Sequence, residues 1–231
     1  MRKAVNHLKK SDPILRAIIE RVGPCRMEFG EPEFCSLAES IVYQQLNGKA
    51  AATIFERFAA LAGDPLMPEG ILKLSDEQLR GVGLSKQKSA YLKDLAAKTA
   101  AGALDFVRLP ELSDDEVIEH LTQVKGIGVW TAQIFLMFTL KRENVLPTGD
   151  FGVRMAMYKH YLDAQRGKST KKITKNTLKK SARKSGAAGK ARKRKIKLPT
   201  PEQMEKIAKS WEPYRSVACW YLWRSLDTKT I

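Results

Sequence analysis

Apolar residues recur along this chain at the three-to-four residue spacing that gathers them on one face of a helix. Ile14, Leu15, Ile18 and Ile19 form the first such stripe. Leu37, Ile41 and Val42 mark a second over residues 33–45, and Ile54, Phe55, Phe58 and Leu61 a third over residues 50–61. Val217, Trp220, Tyr221 and Trp223 share the last helix, which is expected to begin near Pro213. The punctuation agrees with the stripes. Ser11-Asp12-Pro13 supplies an N-cap followed by proline at the first helical position, and Asn47-Gly48 breaks the second helix from the third. Ser75 with Gln78, Ser113 with Glu116 and Thr200 with Gln203 have the reciprocal capping-box form. No segment alternates convincingly with period two, so the chain is predicted to be all-α.

A chain of 231 residues can bury a sizeable core, as one large domain or two small lobes. Cys25, Cys35 and Cys219 are odd in number and far apart, with neither disulfide-framework nor metal-ligand spacing, which points to a reducing, intracellular compartment and to no protein-bound metal. The opening MRKAVNHLKK lacks the apolar core of a signal peptide. The longest apolar run, at 134–140, falls well short of the ~20 residues a bilayer-spanning helix needs. It is expected to be a buried helix, and no membrane partner is expected.

Charge changes the picture more than composition does. The net charge is +16, yet residues 165–199 contain fifteen Lys and Arg and no Asp or Glu, which leaves the remainder close to neutral. A segment rich in Lys, Arg, Ser, Gly and Thr buries too little apolar surface to order itself, and its natural partner is a polyanion such as nucleic acid. It reads as a basic, flexible insert.

Two short glycine patterns echo one another: Leu79-Arg80-Gly81-Val82-Gly83-Leu84 and Val124-Lys125-Gly126-Ile127-Gly128-Val129, each followed by a helix. Gly-x-Gly at a helix entry allows a tight turn and presents unpaired amides to an anion. Taken alone, such a pattern fits a plain turn equally well. Asp150, ahead of another apolar helix, likewise reads on its own as an ordinary N-cap aspartate.

The surroundings of the second copy distinguish these readings. Val124-Lys125-Gly126-Ile127-Gly128-Val129-Trp130-Thr131-Ala132 resembles the hairpin of the helix-hairpin-helix DNA glycosylases, and Thr148-Gly149-Asp150 falls where that superfamily keeps its Gly/Pro-Asp loop. Trp130 precedes Asp150 by twenty residues, a spacing similar to that of the alkylated-base branch. Ile41-Val42-Tyr43-Gln44-Gln45-Leu46, and Pro213-Tyr214-Arg215-Ser216-Val217-Ala218 with Trp223, add to the likeness. It covers the chain except the basic insert, and is strongest to the 3-methyladenine DNA glycosylase II family in a compact form without an N-terminal β domain.

The resemblance implies two helical lobes with a cleft between them: residues 1–48 with 150–231, and residues 49–149, the insert at 165–199 being additional. It implies that Asp150 is the catalytic carboxylate and that Trp130, Trp223 and Tyr43 hold the damaged base. Leu46 becomes the wedge that fills the gap left by a flipped nucleotide, with Gln45 or Asn47 as an alternative contact to the orphaned strand. Lys125, Gly126, Ile127, Gly128 and Thr131 become the DNA-binding hairpin, with Gly81 and Gly83 as its echo. Related enzymes that also cut the strand carry a lysine where this chain has Trp130, so hydrolysis alone, leaving an abasic site, is implied. No cofactor is required, although family members often place a monovalent cation under the hairpin. The implied partner is double-stranded DNA containing alkylated bases. The implied state is a monomer, cytoplasmic and nucleoid-associated in a bacterium or nuclear in a eukaryote.

Three further expectations can be checked against structure. If Asp150 is the catalyst, its cap should be poorly satisfied. Neither His nor Glu stands beside the motif to protonate a neutral lesion; of His7, His120 and His160, only His160 lies near Asp150 in sequence, and it reads as a helix-face residue. Ile134 stands where some family members have a further pocket aromatic. Two other functions remain compatible with the residues: a glycosylase for a deaminated or oxidised base, and a non-catalytic helix-hairpin-helix DNA-binding module, which would need neither Asp150 nor an aromatic pocket.

Overall fold

In the computed structural model, residues 1–163 and 196–227 are described, and among them the chain is helical with no strand. It divides into two units: Met1–Arg26 with Leu146–Ile231, and Met27–Val145. The second unit thus begins at residue 27, where the sequence placed the lobe boundary near 48. Residues 27–48 join it because their helix packs on helices that follow it in sequence. The predicted insert lies, as far as residue 195, outside the described residues.

The first unit begins with α1 (Arg2–Ser11) and α2 (Pro13–Val22). Asp12 caps α2 as predicted, its Oδ1 accepting the Ile14 and Leu15 amides at 2.7 and 3.0 Å. Its Oδ2 accepts the Tyr161 hydroxyl at 2.7 Å and the Trp211 indole N–H at 2.8 Å. One buried carboxylate therefore satisfies four donors and ties the amino-terminal helices to residues ~150 and ~200 positions later. The sequence showed only its capping role.

The other second-unit helices are α3 (Phe34–Tyr43), α4 (Gly48–Ala62), α5 (Pro68–Leu72), α6 (Asp76–Gly81), α7 (Lys86–Ala100), α8 (Asp114–Thr122) and α9 (Val129–Phe138). Leu37, Ile41 and Val42 are buried on α3, which packs on α4 and α7. Phe58 is buried on α4, but Leu61 is exposed, because Ala62 takes the inner position at the helix end. The apolar run becomes α9, with Phe135, Leu136 and Met137 buried and α8 packed against it.

Returning to the first unit, α10 (Phe151–Met157) runs into a π-helical turn (Tyr158–Asp163), and α11 (Pro201–Ala208) and α12 (Arg215–Asp227) follow. Helix α12 packs on α10, α2 and α1. All three predicted capping boxes, at Ser75, Ser113 and Thr200, are formed reciprocally. No helix among the described residues is long and apolar enough to cross a membrane.

Candidate active site and nucleic-acid interface

Asp150 belongs to the first unit and is the N-cap of α10. It is only 7% exposed. Its Oδ1 accepts the Val153 amide at 2.7 Å and the Trp223 indole N–H at 2.8 Å. The expectation of a poorly satisfied cap is therefore wrong. A carboxylate has two oxygens and about four acceptor positions, so capping through Oδ1 does not consume the whole group. Its negative charge is felt nearby: burial first, and then the charge of Asp150, push the Cys219 thiol up.

Trp223 reaches Asp150 because position 152 is glycine. A Cβ there would lie 2.8 Å from Trp223 Cδ1, 3.0 Å from Nε1 and 3.2 Å from Asp150 Oδ1. Gly152 is not among the residues predicted from sequence, although its place two residues after a candidate catalytic aspartate is a usable signal. Trp223 was expected to hold the base; the structure shows its indole N–H bonded to Asp150. His160 sits in the π-helical turn with Nε2 at 2.9 Å from Ser225 Oγ, and burial first, then the charges of Lys159 and Arg21, lower its pKa to about 4.

The hairpin lies in the second unit, between α8 and α9. The Val124 amide bonds to the Leu121 carbonyl and the Ile127 amide to the Val124 carbonyl, at 3.1 and 3.0 Å, while the Ile127 side chain is buried. Gly126 has φ +82°, and a Cβ there would come within 2.1 Å of the Tyr91 ring. Glycine is thus demanded twice, by backbone conformation and by close approach. The Lys125 amide donates to Asp94 Oδ2 at 2.8 Å, and Lys98 Nζ reaches the same oxygen at 2.6 Å. Burial opposes the charge on Asp94, but the bonds from Lys98 and the Lys125 amide outweigh it and hold the carboxyl below its ordinary value. Gly128 occupies the N-cap of α9 with no side-chain cap. Among the described residues, neither the Gly126 nor the Gly128 amide has a backbone or side-chain acceptor. Their donors are available to an anion.

The first glycine pattern is different in kind. The Gly83 amide bonds to the Arg80 carbonyl at 3.0 Å and the Leu84 amide to the Leu79 carbonyl at 3.2 Å. That is the Schellman pairing that ends α6. Gly83, at φ +100°, is its left-handed residue, and the next helix is capped by the Ser85 hydroxyl rather than by open amides. Gly81 is simply the last residue of α6. The expected second anion cradle is thus a helix terminator.

Beside the hairpin, the chain leaves α3 through a tight turn, with the Leu46 amide bonded to the Tyr43 carbonyl at 3.3 Å. Gln45 holds φ +59° in that turn, a conformation that costs a non-glycine residue about 1–2 kcal/mol. Three contacts hold it. Lys88 Nζ donates to the Val42 and Gln44 carbonyls at 2.6 and 2.7 Å, and Gln44 Nε2 donates to the Gly126 carbonyl at 3.0 Å. Burial lowers the Lys88 pKa. Leu46 projects from the turn with 40% of its surface exposed. Asn47 caps α4 by accepting the Ala50 amide at 3.0 Å, which occupies its side-chain oxygen locally.

Next to the turn is a cavity of about 800 Å³ lined by Tyr43, Trp130, Thr131, Ile134 and the two hairpin glycines, and also by Glu39. Tyr43 and Trp130, 87 positions apart in sequence, thus share one pocket. Thr131, expected to touch DNA, is buried in its wall. No Glu stands beside the motif in sequence; the fold supplies one from α3. Burial first, then the charge of Glu39 and a hydrogen bond to it, raise the Tyr43 pKa.

These features have a known setting. The family model described as HhH-GPD superfamily base excision DNA repair protein matches residues 38–184. The chain belongs to this superfamily. A DNA-3-methyladenine glycosylase 1 from Schizosaccharomyces pombe is 32% identical over 96% of this chain and 86% of its own length. Among solved structures, a DNA-3-methyladenine glycosidase from Bacillus halodurans superposes with a TM-score of 0.74 at 33% identity, covering 97% of this chain and 89% of the other. The Schizosaccharomyces pombe 3-methyladenine DNA glycosylase Mag1 in complex with abasic DNA gives 0.71 at 31% identity, covering 96% and 95%.

Proposed function

We propose that this chain is a monofunctional DNA-3-methyladenine glycosylase, which flips an alkylated purine out of duplex DNA and hydrolyses its N-glycosidic bond to leave an abasic site. The observation that carries the reading is Asp150, buried and held in one orientation by the Val153 amide and the Trp223 indole. Breaking the bond makes the sugar cationic. A carboxylate fixed in advance stabilises that charge without reorganising, and it can orient or deprotonate the attacking water.

A purine alkylated at a ring nitrogen is already positively charged and departs without prior protonation. The faces of Trp130 and Tyr43 suit such a cation, at about 0.5–2 kcal/mol for a good contact. Trp130 has no amine with which to attack the sugar, so strand cleavage through a Schiff base is not expected. Leu46 is the wedge that offsets part of the few kcal/mol needed to flip a nucleotide. The Gly126 and Gly128 amides contact phosphate and fix register without reading sequence. A monovalent cation held by backbone carbonyls under the hairpin belongs to the same reading, and it would add positive charge near the phosphate. The enzyme acts as a monomer on duplex DNA.

Base-release chromatography on methylated duplex DNA tests the reading. The native chain should release free 3-methyladenine, and Asp150→Asn, which keeps a capping oxygen, should lower release by at least about a hundredfold. Equal release by both chains would remove Asp150 from its role, and strand cleavage without added base would contradict the monofunctional assignment.

A further inference from the structure

The walls of the Tyr43–Trp130 cavity carry a chemical asymmetry that aromatic stacking does not explain. Among the lining residues Glu39 is the sole carboxylate, and no lysine, arginine or histidine lines the space. Glu39 sits on α3 one turn before Tyr43, half-buried, and lines the same cavity, close enough that its charge helps raise the Tyr43 pKa after burial. Its charge also reaches Cys35, whose thiol is pushed up by burial first and then by Glu39 and Glu33. The pocket therefore combines two aromatic faces, one anionic acceptor and no built-in counter-cation.

We propose that Glu39 is a specificity-determining residue of the base pocket, selecting positively charged purines with an exocyclic amino group over neutral purines with a carbonyl at that edge. This rests on the glycosylase reading above. The carboxylate accepts a hydrogen bond from the amino group of an alkylated adenine and pairs with the charge spread over its ring, making a charge-assisted contact. A base such as hypoxanthine instead turns a carbonyl toward the carboxylate, and two acceptors face each other with neither satisfied. The effect falls on recognition. The exocyclic amino group keeps its hydrogen bond while the glycosidic bond breaks, so Glu39 holds the bound base and the transition state to a similar degree. Removing it should raise KM for the cationic base and leave kcat nearly unchanged.

The test compares release of 3-methyladenine and hypoxanthine from duplex DNA by the native chain, Glu39→Gln and Tyr43→Phe. Glutamine keeps the size, loses the charge and can rotate its amide to donate to a carbonyl. The expected result for Glu39→Gln is a fall of about tenfold or more in kcat/KM on 3-methyladenine, carried by KM, with hypoxanthine release unchanged or increased. Tyr43→Phe should move the ratio the same way by less. Binding to abasic-site duplex should match the native chain; if Glu39→Gln fails to fold, Glu39→Ala reads the same ratio. Where hypoxanthine release is below detection in both chains, the KM for 3-methyladenine decides. A ratio and KM both within about twofold of native would overturn this inference alone. Failure of the native chain to release 3-methyladenine would overturn the glycosylase reading and this inference with it.

Discussion

Asp150, the proposed catalytic carboxylate, is held by residues that can be tested separately from it. Trp223→Phe keeps the ring but removes the N–H that reaches Oδ1 at 2.8 Å. Base release should fall about tenfold, as expected for losing one bond to a charged group, while binding to abasic DNA changes little. Gly152→Ala gives a sharper contrast. Within a helix this change is normally worth up to about 1 kcal/mol of added stability. Here the new Cβ would meet Trp223 at 2.8 Å, so the indole must move off Asp150. Release should drop as in Trp223→Phe, with no gain in thermal midpoint. Full activity in Gly152→Ala would show that the Trp223 bond does not position the carboxylate.

At the scale of the element, the hairpin glycines are not equivalent. Gly126 combines φ +82° with a Tyr91 ring 2.1 Å from any Cβ, whereas a Cβ on Gly128 would meet nothing within 4 Å. Gly126→Ala should cost about 2 kcal/mol or more in chemical denaturation, from left-handed backbone strain together with the clash. Tyr91→Ala in the same chain should recover only the steric part. Gly128→Ala should leave stability within about 0.5 kcal/mol of native, so a loss of abasic-DNA affinity in that variant reports on the amide contact itself. The π-helical turn carries a pH-dependent element. His160 has its pKa lowered by burial from 6.5 to about 4, so as pH falls the unfolded chain takes up the proton first. The stabilisation is fully present above pH 6.5 and is lost as pH falls from 6.5 toward 4. His160→Gln should flatten thermal midpoint against pH across that window; an unchanged slope would show that His160 is not the group responsible.

Along the whole chain, the excess charge and the candidate site occupy different stretches of sequence. The excess positive charge lies in residues 165–199, mostly outside the described residues, while the hairpin offers backbone amides. We propose that the insert follows the DNA backbone and raises non-specific affinity. Deleting residues 167–197 should make log affinity less steeply dependent on log salt, since the slope scales as about 0.9 per neutralised phosphate. Excision of a base from saturating substrate should persist. A slope equal to that of the full chain would rule the insert out as a DNA contact.

Sequence by itself determined what is local. Capping boxes at Ser75, Ser113 and Thr200, the stripe on α3 and the entry of α10 at Asp150 were legible because a cap or an amphipathic face is written within about one helical turn. The tertiary structure decided what depends on residues far apart. It gave Asp150 the Trp223 bond across 73 positions, gave the Gln44 turn its ties to Lys88 and Gly126, and brought Glu39 into one pocket with Trp130. It also separated two glycine patterns that look alike in letters: the amides of one close a Schellman motif, while those of the other stay open. Whether an amide is satisfied depends on where the preceding helix ends, and whether a side chain shares a pocket depends on packing that no single turn records.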